Sequence, residues 1–140
     1  MTWWAFSSRF SPDPKAEAVQ KQRQRDAVRA LAAACARPDA AAIAPLLSAD
    51  VEAVVDGGGT VPAPTTAVRG RAPVSELIER TLWAHPGLGV TEQEVNGAPG
   101  VVLRAHDTVV GVISIGMRGA EIAAVWVVVN PEKLGHWDIR

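Results

Sequence analysis

The order of helical and strand-like segments constrains the fold of this chain more than any other feature of its sequence. Three segments with a helical spacing of apolar residues come first, and four apolar segments follow at 88–96, 100–105, 108–116 and 121–129. The turn sequences NGAPG, HD and MRGA separate these four segments, as expected of strands joined by hairpins. A run of helices followed by a run of strands predicts an α+β domain.

Capping residues mark where the helices begin. An Asp-Pro pair at 13–14 predicts the start of a first helix that runs to about Arg37. Asp39 caps a second helix that ends near Ser48, and Pro73 begins a third. The first helix has one stripe of small apolar residues that includes the single cysteine, so this thiol is predicted to be a core residue. The stripe consists of Ala27, Ala30, Leu31, Ala34 and Cys35.

A further strand, VEAVVD, lies between the second and third helices, and a Pro-rich loop after it leads into a short strand. The sheet has to curl to bury one face against three short helices. This predicts a curved and mostly antiparallel sheet wrapped around three N-terminal helices. Residues 1–11 are predicted to form an aromatic arm that packs rather than binds a ligand, and residues 12–140 to form a single domain.

A cleft between the concave face of such a sheet and the helices is the default ligand site. The last two strands, VVGVISIG and IAAVWVVV, offer Ser114 as their only polar side chain. The predicted lining is therefore apolar, with Trp83 and Trp126 as walls and Asp56 near the mouth. For Asp56, the favoured alternative is a structural role in which its carboxylate accepts hydrogen bonds from turn N–H groups.

Composition argues against several classes of function. The chain has no tyrosine, so an isomerase site with a phenolic oxyanion donor is excluded. The three histidines are scattered and the one cysteine cannot build a zinc site, so no metal and no cofactor are predicted. A net charge of −1 gives no positive field for nucleic acid. No apolar run is long enough to span a membrane, and a cytoplasmic location fits these features.

No catalytic residue is predicted. The triple glycine does not indicate a phosphate loop, because Val-Pro-Ala-Pro rather than a helix follows it. The favoured function is a non-catalytic module that senses a small apolar ligand or binds a protein. The alternative is a small enzyme that uses the same cleft. Two or more convergent ionisable groups in the cleft would favour the enzyme.

Three short motifs occur in order along the chain. They are Asp56-Gly57-Gly58-Gly59, Val95-Asn96-Gly97-Ala98-Pro99 and Asn130-Pro131-Glu132-Lys133-Leu134. Together they resemble the SnoaL-like C-terminal extension of a group of extracytoplasmic-function sigma factors, with Thr60 where that family usually has lysine. The resemblance implies a cone-shaped, nuclear-transport-factor-2-like (cystatin-like) roll and a role in regulating sigma-factor-dependent transcription. On this fold the enzyme alternative would be of the polyketide-cyclase, isomerase or hydrolase type. The chain lacks the length of a whole sigma factor, so a free-standing relative and a piece of a longer chain both remain open.

The resemblance also assigns roles to the motif residues. Gly57, Gly58, Gly59 and Asn96 are predicted to be structural. Asn130, Glu132, Lys133 and Leu134 are predicted to contact a transcription-related protein partner, with ordinary packing as the alternative for Lys133 and Leu134. Asp56 and Asn130 are expected to lie close together, since both follow strands that are neighbours in this topology. A homodimer through the open sheet is predicted because the late strands lack the alternation of a one-sided sheet.

Overall fold

A computed structural model describes residues 14–37, 39–56, 67–84, 87–95 and 97–129. Several predictions concern parts of the chain outside these ranges. They are the aromatic arm at 1–11, the three glycines at 57–59, Asn96, and the motif from Asn130 to Leu134.

Three helices pack on one side of the sheet. Helix α1 spans Pro14–Ala36, α2 spans Ala40–Ile43 and continues as a 3-10 turn at Ala44–Leu46, and α3 spans Arg71–Trp83. The Asp39 carboxylate accepts a hydrogen bond from the Ala41 N–H at 2.9 Å, which confirms the predicted cap. Glu79 of α3 accepts from the Ala40 N–H at 2.9 Å and so ties α2 to α3. The second helix ends earlier than predicted, because the chain is already extended at Leu47.

Six strands form one open, mixed sheet in the order β2-β1-β6-β5-β4-β3. Their bounds are Leu47–Asp56 (β1), Val68–Arg69 (β2), Gly89–Val95 (β3), Ala98–Ala105 (β4), Thr108–Arg118 (β5) and Glu121–Val128 (β6). Strands β3 to β6 follow one another as antiparallel neighbours, which confirms the predicted hairpins. Strand β1 pairs with β6 in parallel, and its last residue, Asp56, lies opposite Val128.

Register shifts interrupt three of the strand pairs. They lie between Leu47 and Glu52 in β1, between Leu103 and Arg104 in β4, and between Gly116 and Met117 in β5. A bulge bends its strand and increases the local twist. These irregularities curve the sheet around the helices, and the α+β fold with a curved sheet and N-terminal helices is confirmed.

The main core fills the space between the helices and the inner face of the sheet. Helix α1 contributes its second half, α3 contributes one long face, and the strands contribute alternate residues. The fully buried members with the largest side chains include Leu31, Ile43, Leu47, Ile78 and Ile113. Burying an aliphatic side chain of this size stabilises the fold by roughly 1.5–3 kcal/mol, so this cluster is the main source of stability.

Cys35 lies within this core and is only 1% exposed. Burial raises the pKa of its thiol to about 12. Because the thiolate is the reactive form, a thiol held neutral in apolar surroundings reacts slowly. The prediction that Cys35 is a core residue is confirmed.

Within the described ranges, no helix is both long enough and apolar enough to cross a lipid bilayer.

Candidate functional site

Ser114 and Trp126 lie on the outer face of the sheet, away from the helices. On β5, Ser114 stands between Ile113 and Ile115, which both belong to the helix-covered core. On β6, Trp126 likewise stands between two core residues. Successive side chains of a strand point to opposite faces, and Ser114 is paired directly with Trp126. The two residues are therefore neighbours, and they lie on the opposite face of the sheet from the expected cleft.

Asp56 belongs to the same outer surface. It follows Val55, which packs against the helix-covered core, so its side chain is directed to the outer face. Val54, two residues earlier, is paired with Trp126, which makes Asp56 and Trp126 diagonal neighbours. Asp56 is half-buried. The structure thus brings three of the four predicted ligand residues together.

Trp83 does not join this group. It is the last residue of α3, on the helix side of the sheet, and is 64% exposed. Among the described residues, Trp83 and Val19 are the only large hydrophobic side chains that are this accessible. A single wall shared by Trp83 and Trp126 is therefore ruled out by the sheet that lies between them.

The ends of β1 and β6 meet, as expected for the strands that carry two of the motifs. The backbone N–H of Val129 donates to the carbonyl oxygen of Asp56 at 2.9 Å. Residue 129 immediately precedes the motif at 130–134, which itself lies outside the described residues. Asp56 therefore lies beside Val129, the residue directly before Asn130; Asn130 itself lies outside the described residues.

A second, smaller apolar cluster lies on the outer face. Val95, Val102 and Val112 are at most 4% exposed, and Val109 and Val128 pack against them. At the β3–β4 margin, Arg104 donates hydrogen bonds to the side chains of Thr91 and Gln93 at 3.1 and 3.2 Å. The outer face therefore combines valines with polar groups, whereas the inner face is aliphatic.

The inner space is poor in groups that could transfer protons. Across the described ranges, the buried polar side chains are Ser48 and Ser75, and both hydroxyls donate hydrogen bonds, to Asp50 and to the Ala72 carbonyl. Acid–base catalysis needs ionisable groups whose pKa values are tuned by burial or by neighbours. In the part of the chain that the structure describes, no carboxylate or imidazole is buried among the core residues.

One polar cluster was missed by the sequence analysis. The Ser48 hydroxyl donates to the Asp50 carboxylate at 3.0 Å, and Arg118 forms an ion pair with the same carboxylate. The hydrogen bond from Arg118, followed by that from Ser48, lowers the pKa of Asp50. Arg118 ends β5 and the other two residues are on β1, so only the tertiary fold brings them together. The exposed carboxylate and guanidinium neutralise each other. This ion pair links β1 to β5 at the surface and does not provide a proton donor.

His106 is a turn residue, in agreement with the sequence interpretation. It lies between β4 and β5, is exposed, and has a φ of 57°, in the left-handed region. No group of three or more His, Cys, Asp or Glu side chains within the described residues is arranged to hold a metal ion.

Neither the protein-family models nor the curated proteins gave a match to this chain. Solved structures gave many. The extracytoplasmic function sigma factor SigJ of Mycobacterium tuberculosis is 24% identical, with a TM-score of 0.59 over 84% of this chain. A steroid delta-isomerase from Pseudomonas aeruginosa is 18% identical, with a TM-score of 0.57 over 83% of this chain and 88% of its own. A nuclear-transport-factor-2-like protein from Burkholderia xenovorans LB400 is 18% identical, with a TM-score of 0.52 over 83% of this chain and 95% of its own.

These likenesses define the fold. The chain has the curved-sheet fold of nuclear-transport-factor-2-like proteins, as the SnoaL-like resemblance implied. It spans 46% of the sigma factor's length. The same fold occurs in a sigma factor and in an isomerase, so fold alone does not decide between a binding module and an enzyme.

Proposed function

We propose that this chain is a non-catalytic binding module that associates with a small apolar ligand or a protein in the regulation of sigma-factor-dependent transcription. The observation that carries the proposal is the aliphatic character of the inner space, where the described residues place no buried carboxylate or imidazole. These residues pack against one another as the core, so the inner side of the sheet offers no acid–base pair for catalysis. The likeness to the SigJ structure supports the link to transcription.

The outer face is the proposed ligand surface. Ser114, Trp126 and Asp56 adjoin there beside half-buried Val54. An indole with a hydroxyl and a carboxylate nearby suits a flat apolar molecule that carries one hydrogen-bonding group. The motif residues Asn130, Glu132, Lys133 and Leu134 would supply the contact to a protein, because they follow β6 directly after Val129.

Thermal stability measured with a panel of apolar small molecules tests binding. A ligand that binds the folded state raises the Tm, and the increase grows with the logarithm of the ratio of ligand concentration to Kd. Trp126→Phe should remove the Tm increase, whereas the matched variant Trp83→Phe should keep it, because Trp83 lies on the other side of the sheet. A Tm increase that survives Trp126→Phe and disappears in Trp83→Phe would place the ligand elsewhere.

Catalysis is tested on the same protein. Isomerisation of an unsaturated steroid ketone and hydrolysis of an aliphatic epoxide should not exceed the rates measured without protein. Turnover that is lost in Asp56→Asn, with an unchanged Tm, would establish the enzyme alternative instead.

Homodimerisation through the outer face is the second part of the proposal. Val54, Trp126 and Val128 are half-buried neighbours on β1 and β6, so they form a partly accessible apolar strip. Val95, Val102 and Val112, which lie beside this strip on the same face, are already buried within one chain, so the contact surface is smaller than the late strands alone suggest. Sedimentation should show a dimer at tens of micromolar, and Val54→Glu should give a monomer with the same circular dichroism. A wild-type species of 14.8 kDa would overturn this part of the proposal.

A further inference from the structure

Valines on the outer face of the sheet differ in how deeply they are buried. Val102 is fully buried and Val112 is 1% exposed. Val54 and Val128 lie on the same face and are only half-buried. Because Val112 and Val128 are paired directly, two residues of the same type differ although they stand side by side. The sheet by itself therefore does not bury Val112.

The described elements place no layer over these valines. All three helices contribute to the inner cluster, whereas the outer cluster consists of strand residues. Of the described apolar side chains, only Val109 and Val128 pack against the buried valines. Arg104 donates hydrogen bonds to the β3 side chains beside Val102 and so shields that valine from one side. Val112 lies one strand further in, so its cover comes from a part of the same chain outside the described ranges.

The chain that follows β6 begins beside this cluster. Val128 is paired with Val112, and residues 130–140 follow Val129. After the motif at 130–134 the sequence reads GHWDIR, in which Trp137 and Ile139 alternate with polar residues. An extended segment with this alternation places both large apolar side chains on one side.

We propose that residues 135–140, the C-terminal segment, lie across the outer cluster with Trp137 and Ile139 covering Val112 and Val102. Eight residues separate Trp137 from Val129 and can span about 26 Å. The two valines lie one and two strands from β6, about 5 and 10 Å away, so the segment reaches them easily. Covering them with large apolar side chains removes apolar area from water.

The other undescribed stretches are placed less well for this task. The aromatic residues at 1–11 precede α1, and Gln20 of that helix donates a hydrogen bond to the Gly119 carbonyl. Gly119 is seven residues from Val112, about 23 Å along β5, and α1 lies on the other side of the sheet. Residues 57–66 have both ends at β1 and β2, and Val61 is their only large aliphatic side chain.

A cover over these valines limits what the outer face can bind. It removes Val102 and Val112 from any contact with a second copy, and it leaves the surface around Asp56, Ser114 and Trp126 as the accessible part. If a ligand binds there as proposed above, the C-terminal segment forms one wall of its site. Only this last statement rests on the proposed function, because the test below contains no ligand.

Thiol labelling of the full chain tests the cover. Val112→Cys places a thiol beneath it, and Cys35 is the internal reference because its buried thiol reacts slowly. The introduced thiol should react at least about tenfold more slowly than the one in Val54→Cys. Adding Trp137→Ser should speed its labelling about tenfold, because the local cover is lost. Adding Asp138→Ser, the matched neighbour, should change the rate by less than about twofold.

Val102→Cys gives the same reading at a second position if circular dichroism shows that Val112→Cys is misfolded. Rapid labelling of both variants in the otherwise unchanged chain would show that the face is bare. An unchanged rate with Trp137→Ser, or an increase with Phe6→Ser instead, would assign the cover to another part of the chain. Equal acceleration at Cys35 would show that the whole domain opens. Each of these results would overturn the proposal, whereas a missing ligand-induced Tm increase would affect only the proposed function.

Discussion

The inner face of the sheet is packed against α1 and α3 and is built from aliphatic side chains, whereas the outer face mixes valines with polar groups such as Ser114, Asp56 and Arg104. The inner cluster holds most of the buried apolar volume, and the outer cluster is centred on three valines. The difference separates two tasks. The inner face stabilises the fold, and the outer face presents chemically varied groups on a rigid sheet, which is where recognition is expected.

The largest expected effect is a loss of stability, and it is measured by substituting two valines of equal burial, one on each face of the sheet. Val125 on the inner face and Val102 on the outer face are both fully buried. Val125→Ala should reduce the free energy of unfolding by about 3 kcal/mol and Val102→Ala by about 1.5 kcal/mol, because a cavity enclosed by helices collapses less readily. Urea denaturation measures both values. Equal losses would show that the two clusters contribute alike to stability and would contradict the assignment of stability mainly to the inner face.

The next largest expected effect is the loss of stability when a methyl group is added at either of two strand glycines, Gly100 and Gly111. A Cβ at Gly100 would stand 2.8 Å from Val95 Cγ2 and 3.1 Å from the Ile113 carbonyl, both rigid neighbours on or near the outer face. Gly100→Ala should therefore cost about 2 kcal/mol. Gly111→Ala is the matched control. Its closest neighbour is the flexible end of Leu103 at 3.1 Å on the inner side, so the loss should be under about 1 kcal/mol.

Combining Gly100→Ala with Val95→Ala identifies the cause. The double variant should lose less stability than the sum of the two single losses, because Val95→Ala removes the clashing methyl group. Additive losses would mean that the backbone contact with Ile113 alone limits the size of the residue at 100.

Asp56→Ala tests whether the outer carboxylate is structural. The side chain is half-buried at the end of β1, and its loss should reduce the free energy of unfolding by about 1 kcal/mol. The backbone hydrogen bond from Val129 to residue 56 remains in the variant, which limits the loss. Glu94→Ala, at an exposed position, is the control and should change stability by under about 0.5 kcal/mol. An Asp56→Ala variant as stable as wild type would assign Asp56 to binding alone.

The smallest expected effect concerns Asp50. Its pKa is lowered by the Arg118 and Ser48 hydrogen bonds, so the stabilisation it provides is present above the ordinary carboxyl pKa and is lost as the pH falls through the lowered value. Arg118→Gln should raise the pKa of Asp50 towards its ordinary value of 3.8. Titration of the carboxyl carbon by nuclear magnetic resonance measures the change. Arg80→Gln should leave this pKa unchanged, and an unchanged value in both variants would mean that the ion pair does not form in solution.

Local signals in the sequence were sufficient to predict most elements. The Asp39 cap is confirmed, and strands β3 to β6 begin and end within three residues of their predicted bounds, because turn residues separate them. The parallel pairing of β1 with β6 has no local signal, since it joins segments far apart in the chain. Likewise, the side of the sheet on which Trp126 lies could not be read from IAAVWVVV, because both faces of β6 are apolar.

The position of β1 beside β6 also determines when the sheet can be completed during synthesis. Strand β1 can pair completely with β6 only after Val128, the last residue of β6, has been synthesised. Ribosomes add about 5–20 residues per second, so the delay is several seconds. During this interval α1 and β1 are already made, while strands that will cover them are still unmade. A nascent chain of this topology therefore exposes its apolar segments to chaperones, and any event that stalls synthesis before β6 leaves β1 with an open edge that can pair with another chain.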